Sequence, residues 1–511
     1  MKQKLLCFFM LGILLIGSAY AQDRRISGRV TSATDGAPIA GVSVLAVGGT
    51  AATQTDDLGT FSINIPSSVT QLEFRFLGYT TERVDVGSQT MVTVQLTEDA
   101  SALEEVVVTA MGITRREKTL GYSATKVGGE EIARARNSNI TQSLAGKVAG
   151  VQIQASSSDP GSSSSVVIRG FGSINGNNQP LYVVDGVPLQ SNTFTADGRV
   201  NGLSGIGNIA QDDIESMTVL KGAAATALYG SRAARGVIVI TTKQGSRGAD
   251  RNYTIQYNGG VQLRQVSYFP EMQNEFGQGW NGTQTYIENG SWGPRLDGST
   301  QVFGPIWNHQ QLIHEYSARK NNVRDFFDIG VSNNHNVSLS GVSDDGKNTY
   351  YVSYSNVSDD GSMPTDADSY ERNTIAYRGA YQGADWFKIS STVNFATAKT
   401  NSVGSFQGTS VVDGLYELPR DVSLLDKQDL TNPFNTPEAY FTPYGITNPY
   451  WALANNYNQI NSKQLYGKLQ ADINPIKELT LTYRFGYDYN DYDVKIGTPE
   501  IDLDDALINE D

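Results

Sequence analysis

The side chains able to do chemistry in this chain are few and badly spaced for catalysis. Histidine occurs only at His309, His314 and His335. The first two sit in the run HQQLIHE, which lacks the H-E-x-x-H register that puts two imidazoles and a general base on one zinc ion, so a loop surface is expected. Acidic residues crowd Asp56-Asp57-Leu58-Gly59, Asp359-Asp360, Asp366, Asp368 and Asp502–Asp505. Such oxygens suit calcium, yet the surroundings read as solvated turns and loops. The one cysteine, Cys7, lies in the apolar N-terminal run, which leaves no thiol nucleophile, disulfide or thiolate metal site downstream. No glycine cluster has the phosphate-cradling G-x-x-x-x-G-K-[ST] form. Catalysis and a bound cofactor are not expected.

A different kind of functional residue stands at Leu103–Gly112, LEEVVVTAMG. Val106, Val107 and Val108 form a β-branched run that favours extended backbone. It lacks the alternation of a half-buried strand. On its residues alone it is either an ordinary internal strand or a peptide kept free to extend another protein's sheet edge. Glu104 and Glu105 precede it and Thr109 and Ala110 follow. Polar residues flank the stretch, Thr97–Ala102 before and Thr114–Lys118 after.

The elements around this stretch define the architecture. The chain has 511 residues and a net charge of -14, which disfavours nucleic acid as a partner. Its 52 glycines and 26 tyrosines suit many turns and membrane-interface rings in a β-rich protein. Residues 1–21 have a basic start, an apolar core and a small-residue cleavage site at Ala19 and Ala21, the features of a secretory signal. Later stretches stay below 18 consecutive apolar residues, so a membrane span must be a β-barrel.

Residues 22–97 carry short strand patterns at Arg25–Thr31, Val42–Val47, Phe61–Ile65, Gln71–Phe76 and Met91–Leu96, separated by Gly- and Asp-rich turns. The motifs ISGRVTSATDGAPIAGVSVLAVGG, QTDDLGTFSINIP and LEFRFLGYTT resemble the carboxypeptidase-regulatory-like, transthyretin-like β-sandwich. Residues 98–136 form a linker. Residues 137–245 read as a compact α/β domain. Ser138 or Asn139 caps a helix that places Ile140, Leu144 and Val148 on one face, with Gly150 as its stop. Strands are expected at Val151–Ala155, Val166–Arg169, Leu181–Val184, Met217–Leu220 and Val237–Lys243, with Asp185-Gly186 as a hairpin turn. Pro188 places the next strand at an edge, a helical turn starts at Asp212 or Asp213, and Ala223–Ala234 is expected to be helical.

From Tyr253 the pattern becomes period 2. Tyr253, Ile255, Tyr257, Val261 and Leu263 share one face, and Thr254, Gln256, Asn258, Gln262 and Arg264 the other. Similar alternation recurs at 337–339, 350–354, 375–381, 387–395, 465–473 and 479–489. Long and short connections alternate between these segments, the arrangement of an outer-membrane barrel. They make about seven strands, against about 22 for a barrel with a plugged lumen. Residues 246–511 are therefore expected to be the first part of a barrel in a longer protein.

The motifs SVVIRGFGSI, QPLYVVDGVPL and DDIESMTVLKGAAATALYGSRAARGVIVITTKQG resemble the plug of TonB-dependent outer-membrane receptors, and specifically the SusC/RagA branch. The resemblance implies a plug inside the barrel lumen and a TonB box at Glu104–Ala110. It also implies TonB and a SusD-like surface lipoprotein as partners, outer-membrane lipid around the barrel, and oligosaccharide or peptide substrates. Without TonB, the box is expected to be poorly ordered. Within the plug motif, Arg169, Gly170, Asp185, Gly186 and Arg232 stand out, along with Arg235. The charged ones are expected in buried ion pairs and the glycines in backbone turns. Tyr440, Tyr450, Trp451 and Tyr457 either stack on substrate or form loop cores. The other functional reading is a surface ligand-binding or signalling receptor, or adhesin, without import.

Overall fold

The computed structural model describes residues 24–48, 51–67, 69–76, 78–87, 89–97, 106–108, 114–116, 123–134, 139–155, 157–174, 178–189, 205–222, 227, 229–248, 251–285, 290–403, 410–437, 439–440 and 447–499. The signal at 1–21, the box residues Glu104, Glu105, Thr109 and Ala110, and Asp502–Asp505 lie outside them. The chain divides into two compact units, one holding the sandwich and the other the plug and the barrel strands.

In the first unit, β1 (Arg24–Ser32), β2 (Ser43–Ala46), β3 (Ala52–Gln54), β4 (Thr60–Ile65), β5 (Gln71–Arg75), β6 (Glu82–Asp85) and β7 (Met91–Leu96) form two sheets, β4-β1-β7 and β3-β2-β5-β6. Alternate residues of β4 and β7 are buried, and Phe61 meets Phe74 edge to face at 5.4 Å between the sheets. Gly28 allows β1 and β7 to approach, because a Cβ there would stand 2.0 Å from the Val92 carbonyl. The sequence patterns missed β3 and β6. ATQ and ERVD have little apolar alternation, and pairing with β2 and β5 holds them at the two sheet edges. Asp56 serves its own turn, accepting from the Leu58 and Thr60 amides and the Thr60 hydroxyl.

Val106–Val108 is β8, paired with β9 (Thr114–Arg116) in a separate two-stranded sheet.

The plug sheet has the order β10-β15-β16-β13-β14, from β10 (Ala124–Gly128), β13 (Leu181–Val184), β14 (Val187–Leu189), β15 (Ile214–Leu220) and β16 (Val237–Thr242). β11 (Val151–Ala155) and β12 (Ser164–Ile168) form a hairpin beside it. β13 and β16 are near-continuous apolar runs because both faces are covered. Asp185 and Gly186 have φ of 49° and 85°, as a tight hairpin turn requires, and Pro188 lies on the edge strand. Asn139 does cap a helical turn, but Ile140–Leu144 is 3-10. Of the helix expected over 223–234, residues 223–226 and 228 lie outside the described residues; Ala227 and Tyr229 are helical, and Gly230, at φ 74°, precedes a 3-10 turn at Ser231–Ala233.

The remaining strands form one meander: β17 (Tyr253–Arg264), β20 (Gly330–Val342), β21 (Asn348–Asp360), β22 (Ser369–Ala384), β23 (Phe387–Asn401), β24 (Tyr457–Ile476) and β25 (Leu479–Gly497), each antiparallel to the next. Between β17 and β20, β18 (Thr300–Trp307) and β19 (Gln310–Glu315) make a hairpin inside the first long connection. All seven expected wall strands are present, and several are longer than their apolar patterns. β24 runs for 20 residues, where roughly 9–11 cross a bilayer. Its outward residues change from Leu469 and Leu465 to Lys463, Asn461 and Gln459 toward the long-loop end. The strand keeps its pairing there because that part stands in water, beyond the apolar band.

The wall is inverted relative to a soluble sheet. Ile255, Val352, Ile375, Phe395, Leu469 and Leu481 are exposed on the outside, while Asn336, Ser353, Arg378, Asn394 and Gln464 are buried inside. That arrangement suits lipid outside and a polar filling within. Val393→Lys, in the middle of the apolar band, is expected to destabilise folding of the full-length protein into lipid vesicles by about 2–4 kcal/mol. Thr397→Lys, beyond the band, should cost about 0–1 kcal/mol. Denaturant titration of the two variants checks this, and equal costs would misplace the band.

Candidate functional site

The densest set of buried polar contacts between distant elements is that between plug and wall. It starts from a local signal, two aspartates ahead of a buried strand. Gln211–Asp213 forms a 3-10 turn that feeds β15, and the Asp213 carbonyl accepts from the Lys243 amide, tying the turn to the end of β16. The turn directs the Asp213 carboxylate away from the plug core onto the wall. One oxygen accepts the Tyr351 hydroxyl at 2.9 Å. The other accepts the Ser353 hydroxyl at 2.7 Å and faces Arg378 Nη2 at 3.4 Å.

Both charged side chains are almost fully buried, at 2% and 1% exposure. Arg378 also donates to Asn394 at 3.2 Å and lies 5.0 Å from the centre of the Tyr351 ring. Two wall strands, β21 and β22, therefore converge on one plug carboxylate, and β23 supports Arg378 through Asn394. Paired charges inside a protein are tolerated when hydrogen bonds complete them; two hydroxyls complete the carboxylate here, while Arg378 Nε and Nη1 have no hydrogen-bond partner among the described residues.

Weaker polar contacts surround this latch. Arg372 donates to the Gly207 carbonyl, Thr374 to Asn208 at 3.4 Å, and Asn208 to Gln464 at 3.1 Å. Lys468 donates to the Asp185 carbonyl at 3.0 Å. Tyr466 packs into the plug's apolar core, and β25 comes so close at Gly486 that a Cβ would stand 2.9 Å from Val187.

The plug-motif residues behave differently from expectation. Asp185 binds within the plug, accepting from the Thr242 amide at 3.0 Å and the Thr242 hydroxyl at 2.6 Å. Arg169 and Arg232 are exposed and Arg235 is half-buried. The buried ion pair expected of that motif is made by Asp213 and Arg378 instead. Gly170 and Gly186 have φ of 89° and 85°, the turn role expected of them. Arg378 was detectable in principle, as an inward-parity charge on a wall strand.

The long connections form a folded body of their own. Phe303, Phe326, Leu415, Leu424, Tyr440 and Tyr450 share one apolar core, so Tyr440 and Tyr450 are loop core, while Tyr457 stands exposed. At its centre Asp421, fully buried, accepts from the Gln278 amide at 2.9 Å and meets His314 Nε2 at 2.9 Å. His314 is consequently no surface residue, and its ring packs edge-on against Phe303. His309 is at the exposed hairpin tip with φ 60°. Arg420 binds Gln273 and Asn274 and so clamps the two long connections together.

The acidic residues before β22 are only in part a solvated loop: Asp360 and Asp366 are exposed. Asp359 is buried against Arg264, and Asp368 is buried while accepting from the Ser362 amide at 2.9 Å and the Met363 amide at 3.2 Å. Burial, with the nearby charges of Asp159 and Asp360, pushes the Asp368 carboxyl up to about 7. Among the described residues, groups of three or more His, Cys, Asp or Glu able to hold a metal ion are absent. Likewise, no described helix is long and apolar enough to cross a membrane.

A sheet-built plug latched inside an antiparallel wall with an apolar outer and a polar inner face defines a plugged outer-membrane β-barrel receptor. Comparison with known proteins narrows this. Residues 116–237 match the TonB-dependent Receptor Plug Domain, and residues 26–108 match the CarboxypepD_reg-like domain. TonB-dependent receptor P3 of Formosa agariphila is 35% identical over 60% of this chain and 29% of its own length. TonB-dependent receptor SusC of Bacteroides thetaiotaomicron is 32% identical over 66% of this chain and 30% of its own length. The RagAB peptide importer in its open-open state superposes with a TM-score of 0.58 at 25% identity, over 76% of this chain and 42% of that one. The chain thus spans less than half of each of these relatives. It belongs to the SusC/RagA-type TonB-dependent receptors, β-barrel proteins of the outer membrane.

Asp213→Ala leaves Arg378 charged, buried and unpaired. It is expected to weaken plug retention in the full-length protein by about 3–5 kcal/mol, read as a lower thermal midpoint and faster proteolysis of the plug. Asp213→Leu with Arg378→Met should recover most of the loss; a double variant as unstable as the single one would contradict the latch.

The pH dependence of Asp368 has a defined sign. The fold holds its proton more tightly than the unfolded chain, whose carboxyl titrates near 3.8. Stability from this group is therefore greatest below about pH 4, falls as pH rises to about 7, and is flat above. Segment 361–368 should be nicked by protease faster at pH 8 than at pH 5.5, and Asp368→Asn should abolish the difference.

Proposed function

We propose that the full-length protein is a TonB-dependent importer of nutrient oligomers, glycans foremost and peptides as the second class. The observation that carries this reading is the plug–wall contact. The plug is held by the latch and a few polar bonds, not by continuous strand pairing, so it can move without breaking the wall. In this reading Glu104–Ala110 is the TonB box. Its Val106–Val108 strand exchanges pairing with β9 for pairing with a TonB sheet edge, and main-chain hydrogen bonds supply the affinity. The acidic pair Glu104 and Glu105 suits a basic TonB surface. A SusD-like surface lipoprotein closes over the two clamped long connections, and the inner-membrane proton gradient, acting through TonB, drives plug displacement. The RagAB structure is a peptide importer by its own description, which keeps peptides as the second substrate class.

Residues 22–97 act as a periplasmic extension, 98–136 as the coupling linker, 137–245 as the plug and 246–511 as wall and surface loops. Deleting Glu104–Ala110 from the full-length protein should leave surface binding of substrate unchanged and abolish uptake. Unchanged uptake would remove the box assignment and favour a surface ligand-binding receptor without import.

A further inference from the structure

The first and last long connections meet along a basic seam. Hydrogen bonds between them set it. The Arg319 amide donates to the Arg420 carbonyl at 2.8 Å. Asn322, itself buried, donates to the Val422 carbonyl and accepts from the Leu424 amide, both at 2.8 Å. Lys320 and Arg324 from one connection, and Arg420 from the other, thereby line one cavity of about 420 Å³. That volume lies within the roughly 300–1,000 Å³ range of ligand pockets.

The Arg420 guanidinium is the unusual feature. The residue is only 4% exposed, yet its partners are all neutral. Nε donates to the Gln273 carbonyl at 2.9 Å, and Nη2 donates to Asn274 Oδ1 at 2.8 Å and the Arg319 carbonyl at 3.3 Å. Nη1 is left with no partner among the described residues and is not sealed inside the fold. The next residue, Asp421, turns its carboxylate to the Gln278 amide and His314. Buried charges are ordinarily paired. Here burial pushes Arg420 down from its ordinary value, with no described carboxylate to counter it.

The rest of the lining adds charge of the same sign. Lys320 and Arg324 are exposed, and neither pairs with a carboxylate among the described residues. Arg324 rests over the Phe269 ring, its Cζ 5.3 Å from the ring centre, which steadies the cation without neutralising it. Glu271 is the one carboxylate on the described lining, against three cations. Such a concentration of positive charge stands out in a chain of net charge -14. An anion relieves the repulsion among the three, whereas a neutral ligand leaves it in place. Lysine and arginine side chains only donate, and charged acceptors make the strongest bonds to them. We propose that this cavity binds an oxyanion group, a carboxylate, sulfate or phosphate, carried by a ligand at the outer surface. Two sources carry such a group: an acidic oligomer in solution and the phosphorylated headgroup of a surface lipid. The site is argued from its own residues and does not rest on the import reading.

The test is calorimetric titration of the full-length protein with sodium sulfate, inorganic phosphate, tetragalacturonate, glucose 1-phosphate and, as the neutral probe, maltotetraose. At least one anion is expected to bind, and to bind more weakly as salt is raised. Lys320→Gln combined with Arg324→Gln should lower its affinity at least about tenfold, equivalent to about 1.4 kcal/mol. Lys320→Arg combined with Arg324→Lys keeps both charges and should retain binding. Glu271→Gln, which removes the opposing charge, should tighten it. Arg420 is left intact because it also clamps the two connections, and thermal midpoints near wild type would show that the variants fold. Tetragalacturonate as the tightest probe would identify an acidic oligomer as the source, and glucose 1-phosphate a phosphorylated headgroup.

Absence of binding by every anion, equal affinity in wild type and the double glutamine variant, weaker binding in Glu271→Gln, or maltotetraose binding that depends on Lys320 and Arg324 would each overturn the proposal.

Discussion

One buried carboxylate sets the terms for the rest of the second unit. Asp213 belongs to the plug, but its carboxylate is bound by side chains of the wall: Tyr351, Ser353 and Arg378. A charge taken out of water this far is tolerated only with a counter-charge and hydrogen bonds in place. The inner face of β20–β24 has the same need on a larger scale. Asn336, Ser353, Thr374, Arg378, Asn394 and Gln464 are buried polar residues on a sheet whose other side meets lipid. The plug takes the place that water would occupy, through its own side chains and through turn carbonyls such as those of Asp185, Gly207 and Asn208. Most of these contacts are polar, and Tyr466 and the approach of Gly486 to Val187 add apolar packing to them.

The long-loop end is built on the opposite principle. There the first and last long connections share an apolar core and a buried Asp421–His314 contact, with Arg420 bridging backbone and side-chain acceptors of the first connection. The described parts of these connections therefore pack as one folded body. The two ends thus differ in emphasis: an apolar core joins the long connections, and polar bonds predominate between plug and wall.

How much of this was legible in the sequence depends on the range of the interaction. The wall strands were readable because lipid on one side and polar contacts on the other impose strict period-2 alternation. Asp185-Gly186 and Pro188 were readable because backbone chemistry is local. Strands β3 and β6 were not, since their pairing partners rather than their own residues make them strands. His314, Tyr440 and Tyr450 lie in long connections where distant residues decide burial; His314 looked like a surface residue and proved to be core. The latch was hidden for the same reason. Asp213 and Arg378 are 165 residues apart, and the motif glycines drew attention to Arg169 and Arg232, which the fold leaves exposed.

The path from the coupling stretch to the latch has a mechanical order. Leading out of the linker, β10 is an edge strand of the plug sheet, held on one side only, by β15. Its register runs from Ala124 opposite Leu220 to Gly128 opposite Ser216, two residues from Ile214, which directly follows Asp213. A pull applied before β10 meets the Ala124 end first. The Gly128 end lies beside the Asp213 turn, so on the proposed coupling the β10–β15 ladder stands between the point of pull at Glu104–Ala110 and the latch.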